Sequence, residues 1–160
     1  MVPAKKIQIK NVLLPTDFSE YSRYAMDYAV SFAAQYQAKL YVLHVLVSPH
    51  VLVGYEAAPF VSYERLFADM KNSAEQAMSS FIPEDVKKEV QVETVIGQGT
   101  AFVEILKFAR EKEVDLIVIA THGRTGLKHV LFGSVAEKVV RKSPCPVLSI
   151  RHPEHEFVMP

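Results

Sequence analysis

A single cysteine, Cys145, is all the chain has, so no internal disulfide can form. A fold stapled by bridges is excluded, and the composition fits a reducing compartment. Net charge is missing too: 18 Lys and Arg balance 18 Asp and Glu. That removes the long-range field with which a protein wraps nucleic acid or adheres to an acidic membrane, and leaves room only for local patches. No apolar stretch reaches the roughly 18 residues that span a bilayer. The opening MVPAKKIQIKNVLLP has a short apolar run broken by lysines and no signal-peptide core. The chain is therefore expected to be soluble and cytoplasmic, with neither nucleic acid nor membrane as a partner. The glycine fingerprints GxxxxGK(S/T) and GxGxxG are absent as well.

What is present is a core. Of 160 residues, 49% are hydrophobic and 22% charged, so disorder throughout is excluded. A chain of this length buries about two-thirds of its surface as one domain. We expect that domain to span residues 1–160, with a loop or lid at about 48–62 and a polar tail from about 152.

Five short apolar runs read as strands. Val12-Leu13-Leu14 stops sharply at Pro15-Thr16-Asp17. Ala38–Val47 is nearly continuous apolar sequence, and Val114–Ala120 is more apolar still. Both fit strands covered on two faces. Val90–Ile96 alternates, which fits a less buried position near an edge. Val147–Ile150 is the last. Between them lie helical stripes. Tyr21, Tyr24, Ala25, Tyr28, Ala29, Phe32, Ala33 and Tyr36 recur at three- and four-residue spacing behind a Ser19 cap. The rings read as buried with their hydroxyls at the edge. Further helices are expected over Tyr63–Phe81, from Phe102 to Ala109 and from Gly133-Ser134 onward. Strands alternating with helices predict an open α/β sheet of five parallel strands, with helices on both faces. A barrel would need eight strands.

In such a sheet, ligands bind beyond the carboxyl ends of the strands where the strand order reverses. Two strand ends carry unusual chemistry: Pro15-Thr16-Asp17, and Ala120-Thr121-His122-Gly123-Arg124-Thr125-Gly126. In the order 3-2-1-4-5 they are neighbours. Gly123 and Gly126 permit a tight path. Gly133-Ser134 opens a helix, where free N–H groups and the dipole favour an anion. With Arg124, Lys128 and His129 they read either as a phosphate cradle or as a loop shaped for packing. Ser134 donates to a phosphate on the first reading and caps its helix on the second. Asp17 also has two readings: acceptor for a sugar hydroxyl or adenine amine, or turn residue for the Ser19 helix. His44 reads as a satisfied strand histidine rather than a catalytic one. His122 has no evident acidic partner, Cys145 has no histidine partner, and no carboxylate cluster supports a dedicated metal site.

These segments together, PTDFS, LHV, ATHGRTGLKHVLFGS and CPVL, closely resemble the universal stress protein family, in its small single-domain form. The resemblance covers nearly the whole chain. It implies a Rossmann-like fold akin to the adenine nucleotide alpha hydrolases, in the order 3-2-1-4-5, and usually a homodimer paired through its last strands. An unprotected apolar edge at Val147–Ile150 fits that pairing. Nucleotide-binding members carry G-x2-G-x9-G-(S/T) and bind ATP. Here Gly123, nine residues and Gly133-Ser134 match, but Ala120 stands in the first glycine position. Alanine is harmless there if φ is negative and obstructs if it is positive.

By resemblance, Pro15, Thr16 and Asp17 form the wall beside adenine and ribose. Val45 reads the adenine edge through its backbone. Gly123, Arg124, Gly133, Ser134 and Val135 meet ribose and phosphates, and Ala120, His122 and Gly126 belong to the same segment. The resemblance implies a dimeric, ATP-binding stress-response sensor or regulator, with Mg2+ brought by the nucleotide. No residue presents itself as a strong base or water-positioner, so slow ATP hydrolysis is the most enzymology expected. The alternative is a protein-interaction module of the same fold without nucleotide, for which Ala120 is the best support. An adenylating enzyme would need a further domain or a catalytic lysine motif.

Overall fold

The computed structural model describes residues 7–47, 62–122 and 133–153. Among them the chain runs β1 (Asn11–Pro15), α1 (Glu20–Tyr36), β2 (Lys39–Leu46), α2 (Tyr63–Phe81), α3 (Glu84–Glu89), β3 (Val92–Gln98), α4 (Ala101–Glu111), β4 (Leu116–Ala120), α5 (Ser134–Lys142) and β5 (Val147–Ile150). The five strands are all parallel, in the order β3-β2-β1-β4-β5. This is the architecture the alternation of strands and helices predicts. The expected lid falls almost wholly on residues outside those described, as does most of the expected tail.

Side-chain alternation divides the strands between two cores. Val12, Leu14, Leu40, Val42 and Val118 pack with Ala25 and Ala29 of α1 and Met78 and Phe81 of α2. Leu13, Leu43, Ile117 and Ile119 pack with Ile105 and Ala109 of α4 and Ala136 and Val139 of α5. Residues 12–14 have no exposed surface, as expected of a central parallel strand with helices on both sides. β3, with half-buried residues and β2 as its sheet neighbour, is one edge. β5 is the other.

α1 starts where Ser19 caps it, the hydroxyl accepting from the Ser22 N–H. It stops at Gln37, in the left-handed conformation with φ 54°, whose N–H bonds back to the carbonyls of Ala33 and Ala34. Of the stripe read in the sequence, Ala25, Ala29 and Ala33 are buried and the tyrosines are not. The buried residues are Ser22, Ala25, Met26, Ala29 and Ala33. Small side chains let the helix lie close on the sheet, and the tyrosines flank that contact. Tyr21 and Tyr24 are half-buried, whereas Tyr28 and Tyr36 are exposed. The Tyr24 and Tyr28 hydroxyls meet at 3.3 Å.

α3 was not expected. None of its six residues is buried, so it leaves no apolar period to read. Its signals are electrostatic: Pro83 precedes it, Glu84 and Asp85 lie in its first turn, and Lys87 and Lys88 in its last. No described helix is long and apolar enough to cross a membrane.

β1 pairs with β2 on one side and with β4 on the other. The carboxyl ends of these three strands meet at the reversal of strand order, and residues from all three line one space.

Candidate functional site

The first wall is the turn after β1. Thr16 is buried, and its N–H donates to the Leu43 carbonyl at 2.9 Å. The Phe18 N–H donates to the Thr16 hydroxyl at 2.9 Å. The Ser22 hydroxyl donates to the Ser19 carbonyl at 3.0 Å, which uses its hydrogen. The Thr16–Ser22 hydroxyl contact at 3.0 Å is therefore a donation from Thr16. His44 closes the set with its Nδ1–H on the Thr16 carbonyl at 2.8 Å; a carbonyl only accepts, so the proton is on Nδ1. Thr16 thus builds the wall with its polar atoms already engaged inside the protein. His44 is the satisfied strand histidine read in the sequence.

Phe18 takes φ 64°, in the left-handed region that a bulky side chain rarely adopts. Such a conformation costs about 1–3 kcal/mol and persists only where packing imposes it. The packing here is aromatic: the Phe18 ring lies 4.3 Å from the His44 ring and meets Phe81 edge-on at 5.7 Å. Between the two constrained residues stands Asp17. Its Oδ1 accepts from the Ser19 N–H at 3.0 Å and the Ser19 hydroxyl at 2.6 Å. The turn-residue reading of Asp17 is realised, and the same residue lines the cavity described below.

The second wall follows β4. Ala120 ends the strand in extended backbone, pairs with Ile150, and packs in the core with Val118. It is not among the residues with positive φ. Alanine at this position therefore carries no backbone strain. The Thr121 N–H donates to the Ile150 carbonyl at 2.9 Å, and the Thr121 carbonyl accepts from the Gly133 N–H at 2.6 Å. That last bond fixes the start of α5 against the end of β4. His122 is buried, with Nδ1 3.0 Å from the Thr121 hydroxyl.

Gly133 is needed for space rather than for its dihedrals. Its φ is −63°, open to any residue, but an added Cβ would sit 3.3 Å from the Thr121 carbonyl oxygen. Gly133→Val is expected to cost about 1–3 kcal/mol through this crowding. Thermal denaturation would measure it. Gly133 is also the N-cap of α5, without a side-chain capping bond. Ser134 is therefore the first helical residue, and the capping reading of Ser134 is corrected. The first turn of α5 presents backbone N–H groups that have no partner within the helix.

Both walls enclose a cavity of about 330 Å3. Pro15, Thr16, Asp17, Val45, Ala120, His122, Gly133, Ser134 and Val135, all expected from the sequence, line it together. Gly123, Arg124 and Gly126 lie outside the described residues. The sequence reading missed Ser22, His44, Thr121 and the apolar floor of Leu43, Ala101, Ile105, Ile119 and Ala136. Ser22 had a signal, a hydroxyl on the inward stripe one turn into α1. The floor residues had none beyond ordinary core periodicity. An apolar floor with a few converging polar groups is the usual make-up of a small-molecule pocket, and the volume is at the lower end of that class.

Burial pushes the Cys145 thiol above its usual range, and the side chain does not line the cavity. Among the described residues no group of three or more His, Cys, Asp or Glu is placed to hold a metal ion.

Comparison with known proteins gives one consistent result. The model of the universal stress protein family matches residues 8–151. Universal stress protein MJ0531 of Methanocaldococcus jannaschii is 34% identical over 148 residues, covering 92% of this chain and 85% of that protein. Universal stress protein YxiE of Bacillus subtilis is 35% identical over 144 residues, covering 88% and 97%. The solved structure of universal stress protein UspA from Lactobacillus plantarum superposes with a TM-score of 0.78 at 28% identity, covering 91% of this chain and all of that one. The same fold occurs in two solved complexes. One universal stress protein holds cAMP, at 23% identity and TM-score 0.59 over 91% of this chain and 98% of that one. Another, from Archaeoglobus fulgidus, holds dAMP, at 22% and 0.61 over 90% and 98%.

Proposed function

The chain belongs to the universal stress protein family, and from that premise we propose that it is an ATP-binding regulator of the stress response. One observation carries the reading: Asp17, Val45 and the open N-terminus of α5 line the same cavity. Adenine and ribose lie between the ends of β1 and β2, over the apolar floor and within reach of Asp17. The phosphates lie at Gly133 and Ser134, where the helix supplies N–H donors and a positive dipole end. Gly123 and Arg124 join them on the strength of the motif spacing. Mg2+ arrives with the nucleotide. The two complexes with cAMP and dAMP speak for the fold; the assignment of a nucleotide rests on this chain's own cavity.

The rival reading, an interaction module without nucleotide, drew its support from Ala120. Extended backbone at Ala120 accommodates the methyl group without strain, which weakens that support. No residue of the cavity is assigned as a base, so the protein acts by binding, with slow hydrolysis at most.

We place the protein in the cytoplasm as a homodimer. β5 is an edge strand, and its half-buried Val147 and Leu148 are suited to pairing with a second copy. Light scattering is expected to give twice the chain mass; a monomer at working concentration would overturn the dimer.

The nucleotide reading is tested on undialysed protein, denatured and resolved by HPLC, followed by titration of stripped protein with Mg-ATP. Retained ATP or saturable binding near one per chain is expected. An empty protein that binds none, by calorimetry and by a second method blind to enthalpy, would remove the reading.

A further inference from the structure

One side chain of β2 holds both neighbours of Asp17. His44 Nδ1–H donates to the Thr16 carbonyl at 2.8 Å, fixing the peptide that leads into Asp17. The His44 ring lies against the Phe18 ring, 4.3 Å between centroids and 30° between planes. Phe18, which follows Asp17, is the residue at φ 64°. The carboxylate between them is held by Ser19, through the N–H and the hydroxyl. Ser19 itself is anchored as the cap of α1. Asp17 is therefore clamped on the strand side by His44 and on the helix side by Ser19.

We propose that His44 is the positioning residue of the nucleotide site, setting where the Asp17 carboxylate stands. The proposal rests on the nucleotide reading for its consequence in affinity, but not for its geometry. A ring nitrogen on the Thr16 carbonyl dictates the direction of the Thr16–Asp17 peptide. A ring face under Phe18 keeps the next residue left-handed, so that the chain turns back and Asp17 meets Ser19. Without the donor, the buried Thr16 carbonyl loses a partner, and the turn can relax toward ordinary dihedrals. The carboxylate then moves relative to the end of β2. A preorganised acceptor becomes one that each binding event must order.

The donor and the ring can be separated. His44→Phe keeps an aromatic face for Phe18 and deletes the N–H. His44→Asn deletes the ring but carries an amide N–H on Cγ, the same atom that bears Nδ1. Two quantities are read: the hydrogen-exchange rate of the Ser19 amide in nucleotide-free protein, and the Kd for ATP. With His44→Phe, Ser19 exchange is expected to rise about tenfold and ATP to bind about tenfold more weakly. His44→Asn is expected to recover both to within about threefold of wild type. If His44→Phe does not fold, His44→Gln replaces it. The longer side chain carries its N–H one bond further out, and should lose what asparagine retains.

Unchanged Ser19 protection in the donor-deleted variant would overturn the proposal, as would a loss that asparagine does not recover. Wild-type protein that binds ATP beside such a result leaves the nucleotide reading standing and this one fallen. Wild-type protein that binds no ATP, with Ser19 exchange responding as expected, has the reverse meaning: His44 positions the turn, and the ligand is something other than a nucleotide.

Discussion

Phe81→Ala is expected to destabilise the protein by about 3–5 kcal/mol, the usual range for deleting a buried aromatic ring. Phe81 is fully buried at the end of α2, in the core beneath α1. Its ring carries the Arg23 guanidinium at 4.9 Å, and its carbonyl accepts from Arg23 Nη1 at 3.3 Å. It also meets Phe18 edge-on at 5.7 Å. Phe18 is strained, and contacts such as this hold it in place. The substitution should therefore act twice. Urea denaturation should show a lower midpoint with the slope retained. Titration with ATP, at a temperature where the variant is folded, should show weakened binding, although Phe81 does not line the cavity. Full affinity in a folded but destabilised variant would mean that His44 alone maintains the turn.

The strands were legible because parallel strands buried on both faces need continuous apolar sequence, and little else in the chain has it. Leu40–Leu43 and Leu116–Ala120 are almost wholly apolar and central. β3 was legible as an edge from its alternation. The site was legible where its residues break those patterns: Pro15-Thr16-Asp17 stops a strand with polar groups, and Gly133-Ser134 opens a helix. What escaped was whatever looked like ordinary packing. Ile105 of α4 contributes to the floor in the same register that buries it in the core. Phe18 reads as one more apolar residue, since no pattern marks a phenylalanine at positive φ. Its conformation is imposed from far along the chain, by His44 and Phe81. α3 escaped because it buries no residue fully and packs only Val86 against the core, too little for a period. The tyrosines of α1 misled because aromatic spacing outweighed the alanines beside it, and it is the alanines that allow close contact with the sheet.

Ser134→Asp should separate binding from stability in the opposite direction. Ser134 is the first residue of α5, where an acidic side chain interacts favourably with the helix dipole, by about 0.3–1 kcal/mol. Its hydroxyl carries no capping bond whose loss would offset that gain. The fold should therefore be unharmed or slightly stabilised. The proposed phosphate position is a different matter. A carboxylate about 4 Å from a phosphate charge costs about 4 kcal/mol at an effective dielectric near 20. Even partial screening leaves a loss of roughly 100-fold in affinity for ATP. The first turn already holds Glu137, but its carboxylate pairs with Arg141 at 3.2 Å, and Glu137 does not line the cavity. The repulsion should scale with phosphate charge, so calorimetry with ATP, ADP, AMP and adenosine should show a graded loss that vanishes for the nucleoside. Equal weakening of adenosine and ATP would mean that residue 134 acts on the shape of the cavity rather than on phosphate. No weakening at all would move the phosphates away from α5, and with them the reason for Gly133-Ser134 at that helix start.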